Sequence, residues 1–161
     1  GDQHVLLSYK IMMEEIEDGG FLQLIQDGYG PYIFDNPFAK AMRLYGAQNL
    51  SKLIYKAKKI YDINKKELTA PIETDEAYDL ILEKYTSKFE GIEEEIKMME
   101  EFDADTLAHY VDEHIELFAK VVDIEQVMAF ESDLVKPLVE LVPLAVIKGD
   151  YRTEKLTCKA D

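Results

Sequence analysis

The chain has 161 residues, enough for one domain with a buried core, and its 47% apolar and 32% charged content fits a globular protein. No apolar run approaches a membrane span, residues 1–20 lack the cationic start and apolar core of a signal peptide, and the lone Cys158 excludes an internal disulfide, so a reducing cytoplasm is expected. The net charge of −15 is unevenly spread: residues 40–66 hold eight bases and one acid, whereas residues 73–116 hold three bases and sixteen acids.

Val5, Tyr9, Met12 and Ile16 recur at spacings of four, three and four, which predicts a first amphipathic helix. Gly19 suits the left-handed position that ends such a helix, and Gly20 permits a sharp turn that drives Phe21 into the core. Phe21, Leu22, Leu24 and Ile25 begin a short second helix, closed by Gly28 and by Gly30-Pro31. Residues 35–47 predict a third, with Asp35 or Asn36 as N-cap, Pro37 in the first turn, Phe38, Met42 and Tyr45 inward, and Gly46 at its end.

A fourth helix is expected over residues 49–66, burying Leu50, Leu53, Ile54, Ala57 and Ile60 with its lysines outside. After the Pro71 loop, Tyr78, Leu82, Tyr85, Phe89, Ile92, Ile96 and Met99 set the inner stripe of a long helix bent at Gly91. The run "FDADTLAHYVDEHIELF" restarts with Asp103 or Asp105 as cap and turns Leu107, Tyr110, Val111, His114 and Phe118 inward. Beyond residue 123 the pattern weakens: helix can continue to Pro137, and a small β-hairpin about Gly149-Asp150 fits the tail. The predicted fold is a mainly α, single-domain, compact multi-helix bundle.

The Asp18-Gly19-Gly20-Phe21 corner, Gln23 two residues on, the Leu44-Tyr45-Gly46-Ala47 helix end and the lysine-bearing Leu50–Ala57 helix resemble a known family. It is a bacterial domain-of-unknown-function family that includes an acidic DNA-mimic protein. "YDLILEKY" and "LAHYVDEHIELF" match its second half more loosely. The likeness thus covers residues 5–122, with 1–122 as the family-like helical domain and 123–161 as a C-terminal extension packing on it. Gly19, Gly20, Phe21 and Gly46 mark the fold rather than a site. The resemblance implies an all-α domain, a possible homodimer and no established catalytic activity. In the family's known case an acidic surface imitates DNA's phosphates and occupies a transcription factor.

The strongest candidate site is the acidic run of residues 90–105: Glu90, Glu93, Glu94, Glu95, Glu100, Glu101, Asp103 and Asp105. Carboxylates three or four residues apart on a helix lie about 5–6 Å apart at Cβ, and side-chain spread brings them near a DNA phosphate spacing of roughly 7 Å. Such a row presents a phosphate-like surface to a basic DNA-binding protein and speeds their encounter by electrostatic steering. The plain alternative is a solvated helix face that confers solubility.

The basic helix carrying Lys52, Lys56, Lys58, Lys59, Lys65 and Lys66 is expected to pair with the acidic helix rather than to bind nucleic acid. A competing reading is a metal-dependent or small-molecule enzyme using Asp105, His109 and either Asp112 or Glu113, but the paired Glu-x-x-His pattern of di-iron bundles is missing. His114 falls on the apolar stripe as a core histidine, and the tyrosines at helical spacing, among them Tyr29, Tyr32, Tyr45, Tyr55 and Tyr61, are expected in the core. No phosphate-cradling glycine motif is present. The reading is a non-enzymatic protein-interaction domain without metal or cofactor, whose partner is a basic DNA-binding protein and neither nucleic acid nor membrane.

Overall fold

The computed structural model describes residues 1–118, and among these every regular element is a helix. In chain order they are α1 (Asp2–Asp18), α2 (Gly20–Gln26), α3 (Gly30–Ile33), α4 (Phe38–Leu44), α5 (Gln48–Leu68), α6 (Asp75–Met98), α7 (Glu100–Glu113) and α8 (Ile115–Phe118). No helix among the described residues is long and apolar enough to cross a membrane. The expected tail hairpin, the helix to Pro137 and Cys158 lie outside the described residues.

The short α2 is central, packing on α1, α3, α5 and α6. Its apolar residues sit all round it, and Gly20, Phe21, Leu22, Leu24 and Ile25 are all buried. Phe21 is fully buried, with Phe34 at 5.8 Å and Phe89 of α6 at 5.6 Å; Phe34 in turn lies 4.7 Å from Tyr61 of α5. One aromatic chain therefore joins α2, α5 and α6, in the offset and tilted geometries that ring quadrupoles favour.

The double-glycine corner exists, with its backbone roles redistributed. Gly19 caps α1 through its N–H to the Glu15 carbonyl at φ −152°, and Gly20 is the residue in the left-handed region, at φ +78°. Gly19 is required for space: a Cβ there would lie 2.1 Å from Oε1 of Gln23, whose amide bridges Glu15 and Asp18 of α1 at 2.9 and 2.8 Å. Gly46, at φ +100°, ends α4 with both bonds of a Schellman motif, its own N–H to Arg43 and the Ala47 N–H to Met42.

Other boundaries shift for local reasons. Gly30 opens α3 rather than closing α2, with Pro31 in the first turn, where a missing N–H costs nothing. Asn36 accepts from the Phe38 N–H at 3.1 Å, while Pro37 occupies the cap position itself. The bent helix is α5, which leaves helical geometry at Asn64 (φ −112°, ψ 16°), and α6 runs through Gly91 unbroken. The next break falls at Met99, so α7 starts at Glu100 and neither Asp103 nor Asp105 caps it. A further break at His114 separates α8.

Burial follows most of the expected stripes, with Leu50, Leu53, Ile54, Ala57, Tyr85, Phe89, Ile96, Leu107, Val111 and Phe118 inside. Ile60, Leu82, Ile92, Tyr110 and His114 are half-buried, and Tyr78, Tyr32 and Tyr55 are exposed.

Candidate acidic interaction face

Helix α6 starts cleanly. Thr74 accepts from the Ala77 N–H at 3.1 Å, and Asp75 and Glu76 place negative charge at the positive end of the helix dipole. Its inner stripe of Tyr85, Phe89 and Ile96 is held by α2 and α5, which turns the opposite face to solvent. Of the eight carboxylates in the predicted run, six are exposed: Glu90, Glu94 and Glu95 on α6, and Glu100, Glu101 and Asp105 on α7. The break at Met99 divides them between two helices, so no single helical row contains them all.

The other two point inward and leave the candidate surface. Glu93 is half-buried, and its Oε2 accepts the Phe21 N–H at 2.6 Å. That N–H is one of the donors left without a partner at the start of α2, and the Glu93 carboxylate supplies the missing acceptor. The approach depends on Gly20, where a Cβ would lie 2.2 Å from Glu93 Oε2. Burial pushes the Glu93 carboxyl up, against the Phe21 hydrogen bond and Lys97, which favour its charged form. The sequence offered no sign of this cap, because it joins residues 72 positions apart.

Asp103 is 3% exposed, and burial pushes its carboxyl up. It faces α1, where the Tyr9 hydroxyl is pushed up to about 12 by burial first and by the Asp103 and Glu100 charges after it. At i+4 from Met99 and i−4 from Leu107, Asp103 follows the inner face of α7.

Two carboxylates outside the predicted run extend the face. Glu76, Glu83, Glu90 and Glu94 succeed one another at seven, seven and four residues, and all are exposed. At 3.6 residues per turn these spacings place them in one row, which at 1.5 Å per residue runs about 27 Å along α6. The heptad spacing of Glu76, Glu83 and Glu90 is visible in the sequence, but a search for the densest acidic stretch passes over it.

The expected pairing of the basic helix with this acidic run does not occur. Among the described residues the ion pairs are Lys58–Asp62 within α5 at 2.9 Å, Lys65–Asp35 at 3.0 Å and Lys84–Glu67 at 2.7 Å. The α5–α6 pair therefore runs in the reverse sense, from a lysine of α6 to a glutamate of α5. Two large apolar side chains, Met98 and Phe102, are exposed at i and i+4 across the α6–α7 junction, among these carboxylates.

The residues of the enzyme alternative are spread over α7. Asp105, His109 and Glu113 are exposed and Asp112 is half-buried, and among the described residues no group of three or more His, Cys, Asp or Glu side chains is arranged to hold a metal ion. His114 is the α7 cap; its ring stacks on Tyr110 at 4.1 Å, with Nδ1 3.0 Å from the Tyr110 carbonyl oxygen. A groove of about 460 Å³ lies where α5 kinks, lined by Asn64, Lys66, Glu67 and Lys84 among others. Its carboxylate is engaged already: Glu67 accepts from Lys84 and from the Tyr85 hydroxyl, which together hold it below the usual range.

Residues 1–114 match the family model described as DMP19-like protein. Over 121 residues the chain is 34% identical to the DNA mimic protein DMP19 of Neisseria meningitidis serogroup B (strain ATCC BAA-335 / MC58), covering 74% of this chain and 72% of that protein. No solved structure matches. The family model over residues 1–114 and the 34% identity over 121 residues lead to one assignment: the chain belongs to the DMP19-like protein family.

Proposed function

We propose that this protein is a DNA mimic that occupies the DNA-binding surface of a basic protein. The observation that carries the reading is the exposed set Glu90, Glu94, Glu95, Glu100, Glu101 and Asp105, none of which enters an ion pair among the described residues. The name of the 34% identical relative points the same way. Carboxylates left in solvent keep their charge available, and they attract and steer a basic partner as phosphates do, with a salt-dependent long-range part. Glu76 and Glu83 lengthen the row, and Met98 and Phe102 add apolar contact that a bare phosphate chain lacks. In this reading the protein needs no catalytic group or cofactor, contacts no nucleic acid itself and acts in the cytoplasm, alone or as a homodimer.

The test is a pull-down from source cells at low and high salt, followed by competition with the captured protein's own DNA. Lysine at Glu94, Glu95, Glu100 and Glu101 should abolish binding with the helical circular dichroism intact. Lysine at the exposed acids Glu14, Glu17, Asp27 and Glu73 should weaken it far less. Equal losses from both sets would assign the effect to net charge and defeat the row; no loss from either would defeat the mimic.

A further inference from the structure

We infer that Met98 and Phe102 are apolar anchors of the acidic face, which therefore takes a basic protein surface carrying apolar groups between its cations; the inference rests on the reading of that face as a partner site. Of the six phenylalanines among the described residues, Phe21, Phe34, Phe38, Phe89 and Phe118 are buried, whereas Phe102 is 63% exposed. Met98, four residues before it, is 78% exposed. Exposed apolar residues occur singly on most surfaces, and Leu44 is such a case here.

These two share a flank. The inner seam runs in helical phase through the break between α6 and α7: Ile96 is buried, Met99 half-buried, and Asp103, Leu107 and Val111 buried, at spacings of three, four, four and four. The Met99 carbonyl accepts the Asp103 N–H at 2.8 Å, and the Met99 N–H donates to the Glu95 carbonyl at 3.2 Å, so the chain keeps winding there. Met98 and Phe102 therefore stand about one turn apart on the outer side. Glu94, Glu95, Glu101 and Asp105, all exposed, lie three or four residues from one or the other.

Charge selects the occupant. A second copy paired through this flank sets the same carboxylates against each other, and nucleic acid or an anionic membrane is repelled. A basic protein surface matches the acids, and apolar groups on it remove from water the area that Met98 and Phe102 expose. Ionic attraction between exposed groups is screened by salt, whereas apolar burial is not, so the anchors hold the complex where steering alone fails.

The test titrates the full chain into two labelled helical peptides of equal length and positive charge, read by fluorescence anisotropy. One contains lysine and alanine only; the other has leucine and phenylalanine at some of the alanine positions. In about 0.3 M salt the apolar peptide should bind roughly tenfold tighter, the effect of burying one such side chain. Met98→Gln with Phe102→Ser should remove that preference, leaving Tm and the affinity for the lysine–alanine peptide unchanged. Leu44→Ser should leave the preference intact. Equal affinities for the two peptides, a preference that survives the double variant, or one lost equally with Leu44→Ser would overturn the anchors alone. So would a double variant whose Tm falls by several degrees, which would show the two side chains packed within their own chain, or self-association in sedimentation that the double variant abolishes. Lysine at Glu94, Glu95, Glu100 and Glu101 should weaken both peptides; if it weakens neither, the reading of the acidic face fails instead.

Discussion

Replacing Gly20 with alanine should cost this protein about 3 kcal/mol, from two separable sources. The backbone at φ +78° is disfavoured by about 1–2 kcal/mol once a Cβ is present. That Cβ would also sit 2.2 Å from Glu93 Oε2, forcing the carboxylate away and leaving the buried Phe21 N–H without an acceptor, a loss of about 1–3 kcal/mol. Alanine recovers roughly 0.4–1 kcal/mol by stiffening the unfolded chain. Urea denaturation followed at 222 nm measures the change, and a fall in Tm of about 10 °C should accompany it in a chain of this size. The two sources separate in a double-mutant cycle. In a Glu93→Ala background the carboxylate is absent, so Gly20→Ala should show the backbone part alone. An unchanged penalty in that background would refute the cap, and a Gly20→Ala protein within about 0.5 kcal/mol of the wild type, the usual range for neutral surface changes, would refute the whole account.

Asp103→Asn should stabilise the protein at neutral pH, because burial raises the Asp103 carboxyl above its ordinary 3.8. A raised folded value means the folded state holds the proton more tightly, so wild-type stability is full below the unfolded value and is lost as pH rises through the folded one. The gap between variant and wild type should therefore widen with pH across that window; parallel profiles would show that Asp103 titrates normally. Gly91→Ala should raise stability by about 0.5–1 kcal/mol, since Gly91 sits in an unbroken helix with open space where the added methyl would go, and a destabilised variant in thermal melts would reveal an undetected contact. Dialysis against a chelator should leave Tm unchanged; a transition metal retained in stoichiometric amount through purification without a metal-affinity step would restore the enzyme reading centred on His109.

What the sequence determined alone is the set of features governed by neighbours within about one helical turn. The Leu50, Leu53, Ile54 and Ala57 stripe of α5 and the glycine that ends α4 are of this kind, since helical period and a left-handed terminal residue are properties of short segments. The need for a glycine pair before Phe21 was also legible, but which glycine is left-handed was not. That depends on Gln23 crossing above Gly19 and on Glu93 reaching Gly20 from α6. The same distinction divides the acidic run. Its charge is plain in the sequence, yet the pattern alone groups Glu93 and Asp103 with the exposed carboxylates, because periodicity gives the direction of a side chain and not what waits there. For Glu93 it is an N–H of α2, and for Asp103 the flank of α1 around Tyr9. Six exposed carboxylates remain from eight because the packing of distant helices, which no local pattern encodes, decides which charges stay in water.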